Sequence, residues 1–131
     1  MKQRKIYLAA PFFTDEERYN VQFVAEKLRS FGHEVYVPME HFIEDGDTMA
    51  NNEWGARVFE EDRKAIDECD EVHALCYGFT DDAGTAWEIG YAYAKGKVVI
   101  PHFLNNDVDY SLMVVNGSSL LSCDKAKVEQ R

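Results

Sequence analysis

Apolar residues follow two rhythms along this chain: short runs of strand length closed by Pro or Gly, and longer stretches with an apolar position every third or fourth residue. The first run, Ile-Tyr-Leu-Ala-Ala at 6–10, is continuously apolar and ends at Pro11, as a buried parallel strand does. Thr14-Asp15-Glu16-Glu17 then reads as a capping box with an acidic first turn. Val21, Val24, Ala25 and Leu28 follow at helical spacing, predicting a first helix that Gly32 stops near Phe31. Residues 33–37 alternate, are β-branched and end at Pro38, predicting a second strand. The stretch 39–51 has no period and is rich in Asp, Glu, Gly and Asn; a loop this long in a small domain is usually functional or mobile, and a substrate lid is one role for it.

A second helix is expected over 53–69, with Phe59, Asp62 or Arg63, Ile66 and Cys69 one turn apart on a shared face. Residues 71–77 predict the third strand and 97–101 the fourth, which Gly96 separates from the helix before it. Residues 109–115 fit a short helix and 119–123 a fifth strand, and the chain from about 124 is a polar tail. Alternating strands and helices imply an α/β three-layer fold, a doubly wound and mostly parallel five-stranded sheet forming one domain over 1–131. Ligands of such sheets bind beyond the carboxyl ends of the strands, where strand order reverses. One rim would therefore collect Tyr7, Asp82, Glu88 and, from the helix feeding the third strand, Asp62.

The stretch that bears most on function is Asp82-Ala83-Gly84-Thr85-Ala86-Trp87-Glu88-Ile89-Gly90-Tyr91-Ala92, because Glu88 is the only charge from 86 to 94. A helix apolar on nearly every side is expected to be buried, and a carboxylate on it must be paired, hydrogen-bonded or kept for chemistry. Thr85-x-x-Glu88 also fits a capping box in which the Glu folds back on the helix start. Gly84 permits a tight turn after the strand, and the helix N-terminus would hold Glu88 ionised at neutral pH as a candidate nucleophile. For Asp62 the structural alternative is an ion pair with Arg63 or Lys64.

Composition narrows the partner. Fourteen basic against 24 acidic residues leave a net charge of −10, which disfavours a nucleic-acid backbone or an anionic membrane and fits a small ligand. Three cysteines, Cys69, Cys76 and Cys123, have no C-x-x-C spacing, and the four histidines have no metal-ligand spacing, so reduced thiols, no metal and a cytoplasmic setting are expected. The apolar run after the basic N-terminus is too short for a signal peptide or a membrane span. Trp54, Trp87, Tyr91 and Tyr93 sit at helical spacing, where aromatic residues are usually core; Phe12 and Phe13, just after the first strand, are better placed to meet a ligand. Met113 and Met39 either border the pocket or pack.

A carboxylate nucleophile, a second carboxyl group to carry a proton and a phenol to orient the first suit displacement at an anomeric carbon. Four ordered motifs carry a resemblance: Ile6-Tyr7-Leu8-Ala9-Ala10-Pro11-Phe12-Phe13-Thr14; Trp54 with Val58-Phe59-x-x-Asp62; Asp82-x-Gly84-Thr85-Ala86-Trp87-Glu88-Ile89-Gly90; and Leu112-Met113. Together they resemble the nucleoside 2-deoxyribosyltransferase family. The resemblance implies that Glu88 attacks C1′ of 2′-deoxyribose, Tyr7 holds Glu88, Asp62 handles the proton on the base and Asp82 binds the sugar 5′-hydroxyl. It implies a flavodoxin-like sheet, no cofactor, a deoxynucleoside and a free nucleobase as substrates, and a homo-oligomer whose neighbouring subunit completes each site.

Two positions depart from the family pattern. The residue before Leu112-Met113, an Asn that serves the sugar's 5′ end across the subunit interface in the family, is Ser111 here. A Ser there is similar to the related 2′-deoxynucleoside 5′-monophosphate N-glycosidases, yet Asp82 stands where those hydrolases tend to have Ser, and two such charges about 4 Å apart repel by about 4 kcal/mol at an effective dielectric near 20. A substrate without phosphate is therefore expected. The chain also closes at Arg131 in a basic, polar tail, so a family contact made by the C-terminal carboxylate is expected to be absent. The rivals to the transferase are that N-glycosidase and a non-catalytic nucleotide-sensing module on the same fold.

Overall fold

The computed structural model describes residues 2–41, 43 and 45–119. Four parallel strands, β1 (Lys5–Ala9), β2 (Glu34–Tyr36), β3 (Glu71–Cys76) and β4 (Val98–Phe103), stand in the order β2-β1-β3-β4. Helices α1 (Asp15–Ser30), α2 (Asn51–Glu68) and α3 (Ala83–Ala94) connect them, and α4 (Leu112–Asn116) follows β4. Strand order reverses between β1 and β3, so the crevice expected of a doubly wound sheet opens there.

The two-residue period of β1 divides the core. Ile6 and Leu8 join Val21 and Ala25 of α1, with Val35 and Leu75, on one face. Tyr7 and Ala9 face the other, with Ile66 of α2, Ile89 and Ala92 of α3, and Val114 and Val115 of α4. This alternation turns Tyr7 toward α2 and α3 rather than toward α1.

The capping box at the head of α1 forms as read: Glu17 N–H donates to Thr14 Oγ1 at 3.1 Å, and Glu17 Oε1 accepts from Thr14 N–H at 3.0 Å. Gly32, at φ 92°, ends the same helix in the left-handed region that costs glycine least. Within 39–51 the chain is not featureless: single 3-10 turns cover Pro38–Glu40 and Gly46–Thr48, and Ile43 is buried.

Three expectations change. Among the described residues the sheet has four strands; the expected fifth, 119–123, lies outside them from residue 120 onward. Ser119, its first residue, donates its N–H to Val99 C=O at 2.8 Å and accepts the Val99 N–H on Oγ at 3.1 Å. β4 also runs two residues past Pro101. Val99 turns its polar groups away from β3, and Pro101 shares that side, so its missing N–H costs no bond to β3. Finally α3 is not enclosed: Ile89 and Ala92 are buried, but Trp87 is 47% exposed and Tyr93 63%. Apolar side chains all round this helix reflect Ala, Gly and aromatic content on its outer face, not packing on every side. Among the described residues no helix is long and apolar enough to cross a membrane.

Thr14→Ala removes one half of the capping box and should lower stability by about 1 kcal/mol. Urea unfolding checks this as a lower midpoint with unchanged slope.

Candidate active site

A cavity of about 400 Å³ opens at the carboxyl ends of β1 and β2. The segment 10–13 after β1 and Pro38 after β2 form one side, α2 supplies Phe59, Asp62 and Arg63, and the start of α3 supplies Asp82, Gly84 and Glu88. Phe12 and Phe13 stack on each other at the mouth, ring centroids 5.9 Å apart. A larger groove of about 480 Å³ between β2 and the last turns of α2 is lined by Lys5, Glu34, Glu61 and Lys64, among others. It holds neither the phenol–carboxylate pair nor either acid near it, so the smaller cavity is the candidate site.

Tyr7 lies lower than a rim residue. It occupies the middle of β1, fully buried, and donates its hydroxyl hydrogen bond upward to Glu88 Oε2 on α3. The contact joins residues 81 apart in sequence. Glu88 therefore does not fold back on its own helix. The cap of α3 is Asp82, whose Oδ2 accepts from Thr85 N–H at 2.9 Å and from Thr85 Oγ1 at 3.0 Å. Because Thr85 is inside the helix and spent on Asp82, the alternative capping box is not made.

Gly84 plays a different part from the tight turn expected of it. It sits in the first turn of α3 without positive φ, and a Cβ there would stand 3.2 Å from Asp82 Oδ2, crowding the capping oxygen. One residue earlier, Asp81 Oδ1 accepts the Tyr77 N–H at 2.7 Å, which ties down the turn that delivers Asp82.

Asp62 takes neither of the ion pairs open to it. Arg63 pairs with Glu60 at 2.9 Å and Asp67 at 2.8 Å, and Lys64 reaches Glu68 at 3.9 Å. Among the described residues the cavity thus gathers Asp62, Asp82 and Glu88 against one guanidinium already engaged elsewhere.

That charge pattern sets the acidities. Burial, then the negative charges of Asp62 and Asp82, push the Glu88 carboxyl up to about 7, opposed by the Tyr7 hydrogen bond. Asp62 rises to about 6, through burial and Glu61, while His41 acts in the other direction. The Tyr7 phenol is driven up by burial and by Glu88, so it stays a donor. The expectation that the helix N-terminus keeps Glu88 ionised at neutral pH is thereby corrected. Glu88 is the sixth residue of α3, beyond the first turn over which the helix dipole acts, so desolvation and neighbouring acids outweigh it.

Ser111 and Met113 are not brought to this cavity. Ser111 precedes α4 and caps it with no side-chain hydrogen bond; Val114 and Val115 anchor the helix, and Met113 is 83% exposed. Conversely, Trp87 lines the cavity although aromatic residues at helical spacing suggested core, and Val58 and Phe59 line it as well. The spacing held a signal: Val58 and Phe59 lie four and three residues before Asp62, hence on its face of α2. Gly55 and Arg63, four residues before and after Phe59, carried the same signal; Pro38 did not. Among the described residues no group of three or more His, Cys, Asp or Glu is arranged to hold a metal; Cys69 and Cys76 are buried free thiols.

A carboxyl whose ordinary value is 4.5 and whose folded value is about 7 makes the fold less stable as pH rises. Below 4.5 it is protonated folded and unfolded alike. Through the window up to about 7 the folded chain keeps a proton the unfolded chain has lost, and above it the whole penalty is present. Glu88→Gln should therefore be more stable than wild type at pH 8, with the difference vanishing below about 4.5; urea unfolding across that range measures it.

Residues 6–122 match the family described as Nucleoside 2-deoxyribosyltransferase. Among solved structures, the 2-deoxyribosyltransferase from the psychrotolerant bacterium Bacillus psychrosaccharolyticus is 32% identical, with a TM-score of 0.82 over 97% of this chain and 91% of that one. A conserved protein from Enterococcus faecalis V583 (24% identity, TM-score 0.66, 99% of this chain and 89% of that one) and a 2-desoxiribosyltransferase from Leishmania mexicana (23%, 0.60, 78% and 65%) share the fold. No curated protein sequence matches. With most of its length matched by the family, and a third of its residues shared with the Bacillus structure, this chain belongs to the nucleoside 2-deoxyribosyltransferase family.

Proposed function

We propose that this protein moves 2-deoxyribose from one nucleobase to another through a covalent sugar intermediate on Glu88. The observation that carries the reading is the Tyr7–Glu88 hydrogen bond at the floor of a cavity that also contains Asp62 and Asp82. Tyr7 occupies Glu88 Oε2, which leaves Oε1 to attack C1′ of the bound deoxynucleoside. The C1′–N bond breaks through an oxocarbenium-like transition state, its electron pair goes to the base, and Asp62 gives the base a proton. In the second half a free base attacks C1′, the bond to Glu88 breaks with its electrons returning to the carboxylate, and the incoming base's proton passes to Asp62. The carboxylates of Glu88 and Asp82 around a developing sugar cation, with Asp62 carrying the proton, supply electrostatic complementarity that a neutral ground state does not use.

Asp82 has both its capping bonds on Oδ2, so Oδ1 is the atom for a sugar hydroxyl. The same acid, beside Glu88 and Asp62 and with Arg63 spent on Glu60 and Asp67, weighs against a 5′-phosphate and so against the N-glycosidase. The Bacillus protein's description as a 2-deoxyribosyltransferase supports transfer over hydrolysis. A homo-oligomer fits the exposed position of Met113 and the half-buried position of Ser111 beside it, outside this cavity, from which they would serve a neighbouring subunit's cavity.

The test incubates the protein with a deoxynucleoside and a second free base, and separately with a deoxynucleoside 5′-monophosphate, following products by chromatography. A new nucleoside is expected; free deoxyribose phosphate would mean the hydrolase, and no product the sensing module. Glu88→Ala should lower exchange at least 1000-fold, roughly the loss typical of a removed nucleophile, while circular dichroism shows a folded chain. Asp62→Asn should slow purines of high leaving-group pKa most; equal slowing for all bases would count against proton transfer by Asp62. With Asp62 at about 6 and Glu88, raised in part by Asp62, at about 7, the two carboxyls together hold one proton between those values, and the rate should peak there as a bell.

A further inference from the structure

Tyr7 is held at its hydroxyl by Glu88, but a hydrogen bond at the tip of a phenol does not fix the plane of the ring. What fixes the plane is on β2. Tyr7 and Tyr36 are register partners across the β1–β2 pair, and their rings stack with centroids 5.5 Å apart and planes 12° apart. β2 is only three residues long and stands at the edge of the sheet, so Tyr36 by itself is weakly held. The chain then turns back immediately. Pro38 begins a single 3-10 turn closed by the bond from His41 N–H to Pro38 C=O at 3.0 Å, and this places the His41 imidazole on the outer face of Tyr36 at 4.1 Å and 7°. Three rings form one column from solvent to the floor of the cavity.

We infer that Tyr36 and His41 are positioning residues, which set the plane of the Tyr7 ring and hence the direction of its hydrogen bond to Glu88. The inference rests on the reading of Glu88 as the nucleophile but concerns a geometry that is measurable without turnover. Two further observations place the column within reach of the acids. The Tyr36 phenol is pushed up to about 12 by burial and then by Asp62, Glu61 and Glu88, and His41 lies close enough to Asp62 to oppose that carboxyl's rise. The groups that face Glu88 itself are Tyr7 from β1, Asp62 from α2 and Asp82 from the head of α3. Of these only Tyr7 favours the anion, so a displaced Tyr7 must raise the Glu88 titration midpoint.

The experiment labels glutamate side-chain carboxyl carbons with 13C, assigns Glu88 by its loss in Glu88→Gln, and follows its shift with pH. Tyr7→Phe sets the scale, with a rise on the order of one pH unit, part of a charge-assisted hydrogen bond. Tyr36→Leu and His41→Ala should shift the midpoint in the same direction by a smaller amount, and Tyr36→Phe and His41→Phe, which keep an aromatic face, should return it to wild type. A midpoint unmoved by His41→Ala, or moved as far by the Phe variants as by Leu and Ala, overturns the inference. His41 is exposed, so its variants carry the test even if Tyr36→Leu does not fold. In the transfer assay the shifted variants should lose kcat with KM little changed. If wild type transfers no sugar yet the midpoints move as expected, the function reading fails and the column stands.

Discussion

Everything in this structure that bears on chemistry depends on keeping one carboxyl group in a partly desolvated cavity with two other acids and a single donor. Burying a carboxylate beside like charges is unfavourable, and among the described residues no cation within the cavity offsets it, since Arg63 is turned to Glu60 and Asp67. The phenol of Tyr7 is the compensation the fold provides. It can be provided because a strand presents alternate side chains to opposite faces: Ile6 and Leu8 pack under α1, while Tyr7 between them points across the sheet to α3. Moving the register of β1 by one residue would put an aliphatic chain under Glu88 and the phenol under α1, which is why the hydrophobic alternation of this strand also specifies the site.

The acids are set by different elements, and each element's local order has a consequence for the cavity. Asp82 starts α3 by accepting from Thr85, and this fixes the helix phase so that the residue six places on, Glu88, faces β1. The same Asp82 charge then raises the Glu88 carboxyl. A capping residue thus acts on the site twice, once through geometry and once through its field. Asp62 reaches the cavity because α2 turns Val58, Phe59 and Asp62 to a common side, with Ile66 one turn further on buried in the core. The apolar members of that face keep Asp62 half-buried, and half-burial is the first cause of its raised value.

Much of this was legible in the chain because it follows from period and punctuation. The strands over 6–10, 33–37 and 71–77, the capping box at Thr14 and the stop at Gly32 are local statements about nearest neighbours, and the structure keeps them within a residue or two. The family motifs also named the residues that meet in the cavity. What escaped reading was settled between elements. Whether Thr85 or Asp82 capped α3 depended on which side chain Glu88 found, and its partner lay 81 residues away. The raised value of the Glu88 carboxyl followed first from its burial and then from the approach of Asp62 and Asp82, not from the dipole of its helix. The open outer face of α3 depended on what the rest of the chain leaves uncovered, which composition does not state. Ser111 and Met113 are a further case, since motif order carries no information on whether a segment serves its own cavity.

The carboxyl values explain why such a site needs a phenol where a basic residue would be the simpler partner. A lysine or arginine under Glu88 would hold it permanently anionic and would lower the field that a sugar cation meets, binding the ground state more than the transition state. A neutral donor such as Tyr7 gives direction without charge. It leaves Glu88 near about 7 and Asp62 near about 6, close enough that one proton serves both and its position responds to what occupies the cavity. In the proposed reaction, positive charge growing at C1′ favours the anion on Glu88 and the proton on Asp62, the distribution that cleavage of a glycosidic bond requires. On the proposed reading, an arrangement that is unfavourable in the resting protein is relieved by the reacting sugar, so its cost to stability and its proposed use in catalysis have the same origin.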